Sequence, residues 1–330
     1  MTKPIVVVGS VNLDLVATAT RIPSPGETVW GERFQTFHGG KGANQAVAAA
    51  RLGGEVRMIA RVGDDEFGQE LRSGLLDASI NVDDVSITSG VASGVALISV
   101  SSQGENSIIV VPGANNALRP ADLELCLPHL QSAGIILTQL EIPMETVEFL
   151  CCAAQSAHVP LMLDPAPARQ LSPEMLRCVT YLTPNETEAL TLCGLNQSEL
   201  TEQQAFEAAE TLLGSGAANI ILKMGARGAL IAGADGLRKR VPAIPVSVVD
   251  STAAGDAFNG AVAVALLRGL ALEQAVQFGI AASALSVTRA GAQPAMPHAQ
   301  EVADLLQALR AAPAVQDRQL PVEPVEVTAP

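Results

Sequence analysis

Aromatic residues are nearly missing from this 330-residue chain, with one Trp, one Tyr and seven Phe making 3% of the total. Hydrophobic residues still make up 48%, so a sizeable core must be assembled from Ala, Val, Leu and Ile. The length allows one large α/β domain or two ordinary ones. Positive charge is scarce as well: 20 Lys and Arg face 34 Asp and Glu, a net charge of −14. That balance argues against nucleic acid or an anionic membrane as a partner, since both need a basic surface. Only four residues are lysine, and Lys41 and Lys223 both fall in Gly-rich segments, where local positive charge would serve an anionic ligand. The five cysteines (Cys126, Cys151, Cys152, Cys178 and Cys193) form no C-x-x-C pair and no zinc-like spacing, and read as reduced thiols of a cytosolic protein. The start, "MTKPIVVVGSVNLD", lacks a basic n-region leading into a long apolar h-region. No apolar run has the length and freedom from charge of a membrane span. A soluble, cytoplasmic protein is expected.

What is present is an alternation. Short β-branched runs, "IVVVGS" (5–10), "VRMIARVG" (56–63), "IILTQLE" (135–141), "PLMLDP" (160–165), "YLTPNE" (181–186), "NIILKMG" (219–225) and "VSVVDS" (246–251), are separated by Ala/Leu-rich stretches of helical spacing at 41–53, 66–78, 145–156, 202–214 and 256–269. Continuous apolar strands between helices indicate an α/β protein whose mostly parallel sheet is covered on both faces. Residues 13–39 and 92–112 break the rhythm. They read as β-hairpins, the second turning at "SSQGEN", and predict a small separate sheet placed over something. The Pro-rich end, 311–330, lacks periodicity and predicts a disordered tail after a domain spanning 1–310. Polar and Gly-rich chemistry follows nearly every core strand. In an open α/β sheet that edge is where ligands bind.

"DSTAAGDAFNGA" (250–261) is the most telling segment. A helix start needs only a cap, which Asp250, Ser251 or Thr252 supplies. Ala253-Ala254-Gly255 leaves the first backbone N–H groups of a helix uncovered, and with the helix dipole they form a hole for an anionic phosphoryl group. Asp256 would sit beside that hole as a base for an attacking hydroxyl. Phosphoryl transfer asks for little beyond positioning, charge neutralisation and such a base. "FHGGKGANQAVAAARLGG" (37–54) is not a P-loop, because Gly40-Lys41 is followed by Gly42 rather than Ser or Thr. Its glycines allow close approach of a ligand to the backbone, and Asn44 faces the same helix mouth. No G-x-G-x-x-G follows the first strand, which disfavours a dinucleotide fold. Asn12 and Asp14, two apart, offer an amide and a carboxylate to a polyol, although turn residues read the same way. Glu141, ending an apolar strand, needs a partner, in a ligand or in a rim salt bridge. Asn185 and Glu188 fit a capping box. "KMGARGA" (223–229) suits either a hairpin or a flat ligand.

Together these residues resemble the ribokinase branch of the PfkB sugar kinase family, from about residue 4 to 310. "GGKGANQAVAAA" and "DSTAAGDAFNGA" look like its two signature regions, and its "NPAPA" stands here as "DPAPA" (164–168). The resemblance implies a three-layer α/β/α sandwich with a β lid formed by 13–39 and 92–112, often also the dimer contact. It implies ATP-dependent phosphorylation of a furanose hydroxyl, the 5-hydroxyl of D-ribose, with deoxyribose or a nucleoside-like sugar as the alternative. By the same resemblance the sugar lies against Asn12, Asp14, Gly40, Lys41, Gly42, Ala43, Asn44 and Glu141, with Asp256 as base. Asn185, Lys223, Met224, Gly225, Ala226, Arg227, Gly228 and Gly255 hold ATP, and Glu188 organises Mg²⁺ through water. A monovalent cation, K⁺, sits by Asp250, Thr252, Ser286, Arg289 and Gly291, mostly on backbone oxygens. Three positions depart from the pattern. Lys223 replaces a common hydroxyl residue, Ile280 a polar residue near the adenine, and Ala295 a serine of the cation site. An oxidoreductase and a sugar-binding protein are the alternatives from other classes. The first lacks its glycine fingerprint, and the second has no use for an acid beside an anion hole.

Overall fold

Runs of Val and Ile without polar alternation need cover on both faces, and the computed structural model, which describes residues 3–195 and 199–311, provides it. The described residues form thirteen strands: β1 (Ile5–Val8), β2 (Asn12–Ala19), β3 (Gly31–Gly39), β4 (Val56–Gly63), β5 (Asn81–Thr88), β6 (Gly94–Ser101), β7 (Asn106–Val111), β8 (Ile135–Thr138), β9 (Leu161–Leu163), β10 (Tyr181–Leu182), β11 (Asn219–Lys223), β12 (Ala229–Gly233) and β13 (Arg238–Val241). Nine make one sheet in the order β13-β12-β11-β10-β9-β8-β1-β4-β5. It is parallel from β5 to β11 and antiparallel only at β12 and β13.

β1 shows how the core is divided. Ile5 and Val7 join one apolar cluster while Val6 and Val8 join another, as the two-residue period of a strand requires. Helices Lys41–Arg51, Ala254–Leu267 and Leu272–Ser286 contribute to the first cluster, and helices Met144–Ser156 and Glu202–Gly214 to the second. The result is a three-layer α/β/α sandwich, as expected. Small residues let the layers close: a Cβ on Gly260 would stand 2.8 Å from Ala48 Cβ and from the Gln45 carbonyl oxygen. This approach sets helix Ala254–Leu267 directly against helix Lys41–Arg51.

The two expected hairpins also form, and β2 pairs in parallel with β6 to join them into a four-stranded sheet, β3-β2-β6-β7. Asn12 opens β2 only four residues after β1 ends, so this sheet rises from the carboxyl edge of the large one.

Other expectations need correction. "VSVVDS" (246–251) is not a strand but an irregular, largely exposed segment. Pro242 and Pro245 end the ladder beyond β13, because proline offers no N–H to pair. The N–H groups of Val249 and Asp250 go instead to the carbonyl of Val287. Strands β5, β12 and β13 fall where charged residues or a tight turn obscure the apolar signal, as in "RKRV" of β13, an exposed basic edge of the kind that discourages further strand pairing. Ala311 closes helix Ala299–Ala311 rather than opening the tail, and the rest of that stretch, 312–330, lies outside the described residues. Among the described residues no helix is long and apolar enough to cross a membrane.

Candidate active site

The carboxyl ends of β1, β8, β9, β10 and β11 converge, as the switch-point rule for open α/β sheets anticipates, and helix Ala254–Leu267 points its start at them. Ala253, the residue before that helix, holds the left-handed conformation at φ 57°, which costs a non-glycine residue about 1–2 kcal/mol. Its neighbour Ala254 turns its N–H back onto the Ser251 carbonyl at 3.2 Å. Among the described residues nothing accepts the N–H groups of Gly255 and Asp256. Of the expected hole residues only Ala254 is thus engaged, since the N–H of Ala253, like those of Gly255 and Asp256, has no acceptor among the described residues.

Asp256, buried in the first turn, accepts hydrogen bonds from Asn44 Nδ2 and Gln45 Nε2, both at 3.1 Å. These donors come from helix Lys41–Arg51, entered through Gly40 at φ 84°. A Cβ there would be strained and would stand 2.8 Å from the Asn12 backbone nitrogen. Gly42 and Ala43 spend their N–H groups on Ser10, at Oγ and the carbonyl respectively. Glu141 takes the Ser10 hydroxyl at 2.5 Å and the Lys41 backbone N–H at 3.0 Å, so a hydroxyl and a backbone N–H hold it rather than a rim salt bridge. Asn12 and Asp14 lie two apart on β2, hence on one face. Asn12 Oδ1 is fixed by Asn115 Nδ2 at 2.7 Å.

The nucleotide-side candidates line a cavity of roughly 740 Å³. Its lining includes the charged residues Lys41, Asp164, Glu188, Lys223 and Asp256 and the apolar residues Ile244, Pro245, Val246, Val248, Ile280 and Val287. The valines misread as a strand thus wall a slot. Asn185, Gly225, Ala226 and Gly228 also line it, but Met224 is buried in the core and Arg227 pairs with Glu186. Asn185 and Glu188 do form the capping box: Asn185 Oδ1 accepts Glu188 N–H at 2.8 Å, and Glu188 accepts Asn185 N–H at 2.7 Å.

Residues 2–299 match the family described as pfkB family carbohydrate kinase. This chain belongs to that family. It is 42% identical over 304 residues to a ribokinase of Bacillus subtilis (strain 168), covering 92% of this chain and 99% of the relative. A deoxyribokinase of Salmonella typhi is 36% identical over 303 residues, covering 92% and 98%. Among solved structures, Arabidopsis thaliana ribokinase complexed with ribose and ATP superposes with a TM-score of 0.88 at 35% identity, covering 93% of this chain and 99% of that one.

The electrostatics of this kinase follow from crowding acids. Burial pushes Asp256 up to about 6, with Asp164 adding, against the pull of Lys41, Asn44 and Gln45. Asp14 reaches about 7 through burial and then the charges of Glu141 and Asp256. Burial also raises Glu188, while Lys223 opposes. Burial works against the charge of Lys41, yet the surrounding carboxylates, Asp256 first, carry its net pKa upward. Outside the cavity, Asp250 accepts Thr252 N–H at 2.9 Å and Gly291 N–H at 2.8 Å, gathering the candidate cation loops. Burial would raise Asp250, but these bonds bring it below the ordinary value. The Arg289 guanidinium turns away to Glu301, its backbone N–H donates to the Ser286 carbonyl at 3.2 Å, and Ser286 Oγ bonds the Ser283 carbonyl.

Gln45 and Asp164 lie inside the quoted segments "GGKGANQAVAAA" and "DPAPA" but receive no role there, Asn115 lies outside every motif, and the fold shows the part of all three. A polar Gln in an Ala-rich helix and an acid ending a strand were the available hints.

Proposed function

We propose that this kinase transfers the γ-phosphoryl group of ATP to the 5-hydroxyl of D-ribose. The observation that carries the reading is Asp256: a buried carboxylate beside N–H donors without acceptors, lining a cavity of charged and apolar residues. Asn12, Asp14, Lys41, Asn44 and Glu141 hold the sugar. Asp256 takes the proton of the 5-hydroxyl as its oxygen attacks phosphorus, and ADP leaves. The N–H groups of Gly255 and Asp256, with Lys41, neutralise charge on the transferring group. The adenine lies in the apolar slot, and the 223–228 turn flanks the phosphates. The likeness to kinases named for ribose supports the choice of sugar.

Among the described residues no group of three acidic, His or Cys side chains could hold a metal ion. Mg²⁺ fits as a passenger of the phosphates, the usual mode for this ion. Glu188, whose oxygens already serve Asn185, would reach it through water. Bound there, Mg²⁺ neutralises phosphate charge. The oxygen-rich, acid-anchored loops at 250–252 and 286–291 fit an alkali cation such as K⁺. Residues 1–310 act as one unit with the four-stranded sheet as a lid over the sugar and as the homodimer contact. The free cysteines and the need for ATP support a cytoplasmic location, which fractionation checks.

A substrate panel tests the reading. A site built around a hydroxyl rejects the analogue lacking it, so kcat/KM for ribose exceeds that for 2-deoxyribose. Equal or reversed preference would move the assignment to a deoxyribokinase, and no transfer to any pentose, hexose or nucleoside would sink it.

A further inference from the structure

The transfer step leaves the side chain of Asp164 without a part. This carboxylate, only 3% exposed, lies on the cavity floor just beyond β9. Lys223 Nζ donates to its Oδ1 at 2.9 Å, and Gln45 Nε2 donates to its Oδ2 at 3.0 Å. Gln45 Nε2 also reaches Asp256 Oδ1, so the pair is wired to the candidate base. Lys223 comes from β11, two strands away, and its side chain is 14% exposed. A Cβ on Gly255 would stand 3.3 Å from its Nζ. The ammonium therefore rests against the helix turn whose N–H groups are open.

Burying an ion pair costs desolvation, and stability alone is a weak reason to keep one. An ammonium carries three donors. One goes to Asp164, and the others are available to the cavity that Lys223 lines. Charge balance points the same way. Without Lys223 the cavity lining would set Asp164, Glu188 and Asp256 against Lys41 alone, a poor receptacle for a nucleoside triphosphate.

We propose that Lys223 is a ligand of the terminal phosphoryl group, presented at the Gly255 turn, and that Asp164 is the residue that positions it. This rests on the cavity taking ATP. Two residues that look independent along the chain, the acid of "DPAPA" and the lysine of "KMGARG", then form one device.

The test is calorimetric binding of Mg²⁺-AMP-PNP and Mg²⁺-ADP, with thermal midpoints, for wild type, Lys223→Met, and Asp164→Asn/Lys223→Met. A charge-assisted hydrogen bond corresponds to about tenfold or more in affinity. Lys223→Met is expected to lose that factor for AMP-PNP and less for ADP. It also strands the Asp164 charge, so its midpoint falls. The double variant removes both charges and is expected to recover the midpoint but not the AMP-PNP affinity. Asp164→Ala is expected to erase the preference for AMP-PNP over ADP, and Asp164→Asn, which keeps an acceptor for Nζ, to retain most of it. Wild-type AMP-PNP affinity in the double variant would reduce Lys223 to a mere partner of Asp164 and overturn the proposal alone. Failure of the wild type to bind AMP-PNP would overturn the nucleotide assignment, and this proposal with it.

Discussion

Asp256 and Asp14 show how one burial event supplies both chemistry and instability. Each carboxylate sits where its charge is desolvated and faces other acids, so each binds its proton more tightly folded than unfolded. The sign follows from linkage. Stability from such a group is present below its unfolded pKa and is lost as pH rises through the folded value. For Asp256 the window runs from roughly 4 to about 6. A base must be ionised to work, so kcat/KM falls as pH drops below about 6, the direction in which folding gains. Asp256→Asn keeps the shape of the first turn and removes the base. Its kcat is expected to fall by about 10²–10⁴-fold, with ATP affinity retained and a thermal midpoint at pH 8 equal to or above wild type. If Asp256 served only the helix dipole, the outcome would invert: near-normal kcat and a loss of about 0.3–1 kcal/mol. Measuring rate and melting on the same variant separates the two.

At the scale of elements, the start of helix Ala254–Leu267 is an unfavourable structure held in place by its neighbours. Ala253 is left-handed, no side chain caps the turn, and the N–H groups of Gly255 and Asp256 have no acceptor among the described residues. The loop before it is held by Asp250, which bonds Gly291 across 41 residues, and by the contact of Val249 with Val287. A cation bound between these loops would order the hole without touching substrate. Activity is therefore expected to rise when K⁺ is added to carefully K⁺-free enzyme, and less so with Na⁺. Equal rates in both buffers would refute a cation site, with the buried Ala295 as the first place to examine. The same region shows why local pattern misleads. "VSVVDS" has the composition of a strand, but a strand also needs a free ladder edge, and two prolines deny it one.

At the scale of the molecule, the small sheet leaves apolar surface open. On β7, Ile108, Ile109, Val110 and Val111 are each about half exposed, and Phe34 is 65% exposed. β7 is also an unpaired edge. Exposed apolar edges invite pairing with another chain, and a second copy meeting this one lid to lid would cover them. The wild type is expected to sediment at twice the 34.0 kDa chain mass, and Ile108→Lys/Val110→Lys to sediment as a monomer. A wild type that stays monomeric at tens of micromolar would refute the lid contact.

Much of this was legible in the chain itself. Runs of Val and Ile between Ala-rich helical spacings dictated a covered parallel sheet, because only such a sheet buries strands on both faces. An acid next to residues with almost no side chain at a helix start pointed to phosphoryl chemistry, because the N–H groups and the acid belong to one local segment. The pairing of Asp164 with Lys223, the Gln45 bridge to Asp256 and the anchoring of Asn12 by Asn115 join residues 59, 211 and 103 positions apart. No local propensity encodes such contacts. They exist only once β9 and β11 lie in one sheet, and once Gly260 lets two helices close to within a side chain's reach.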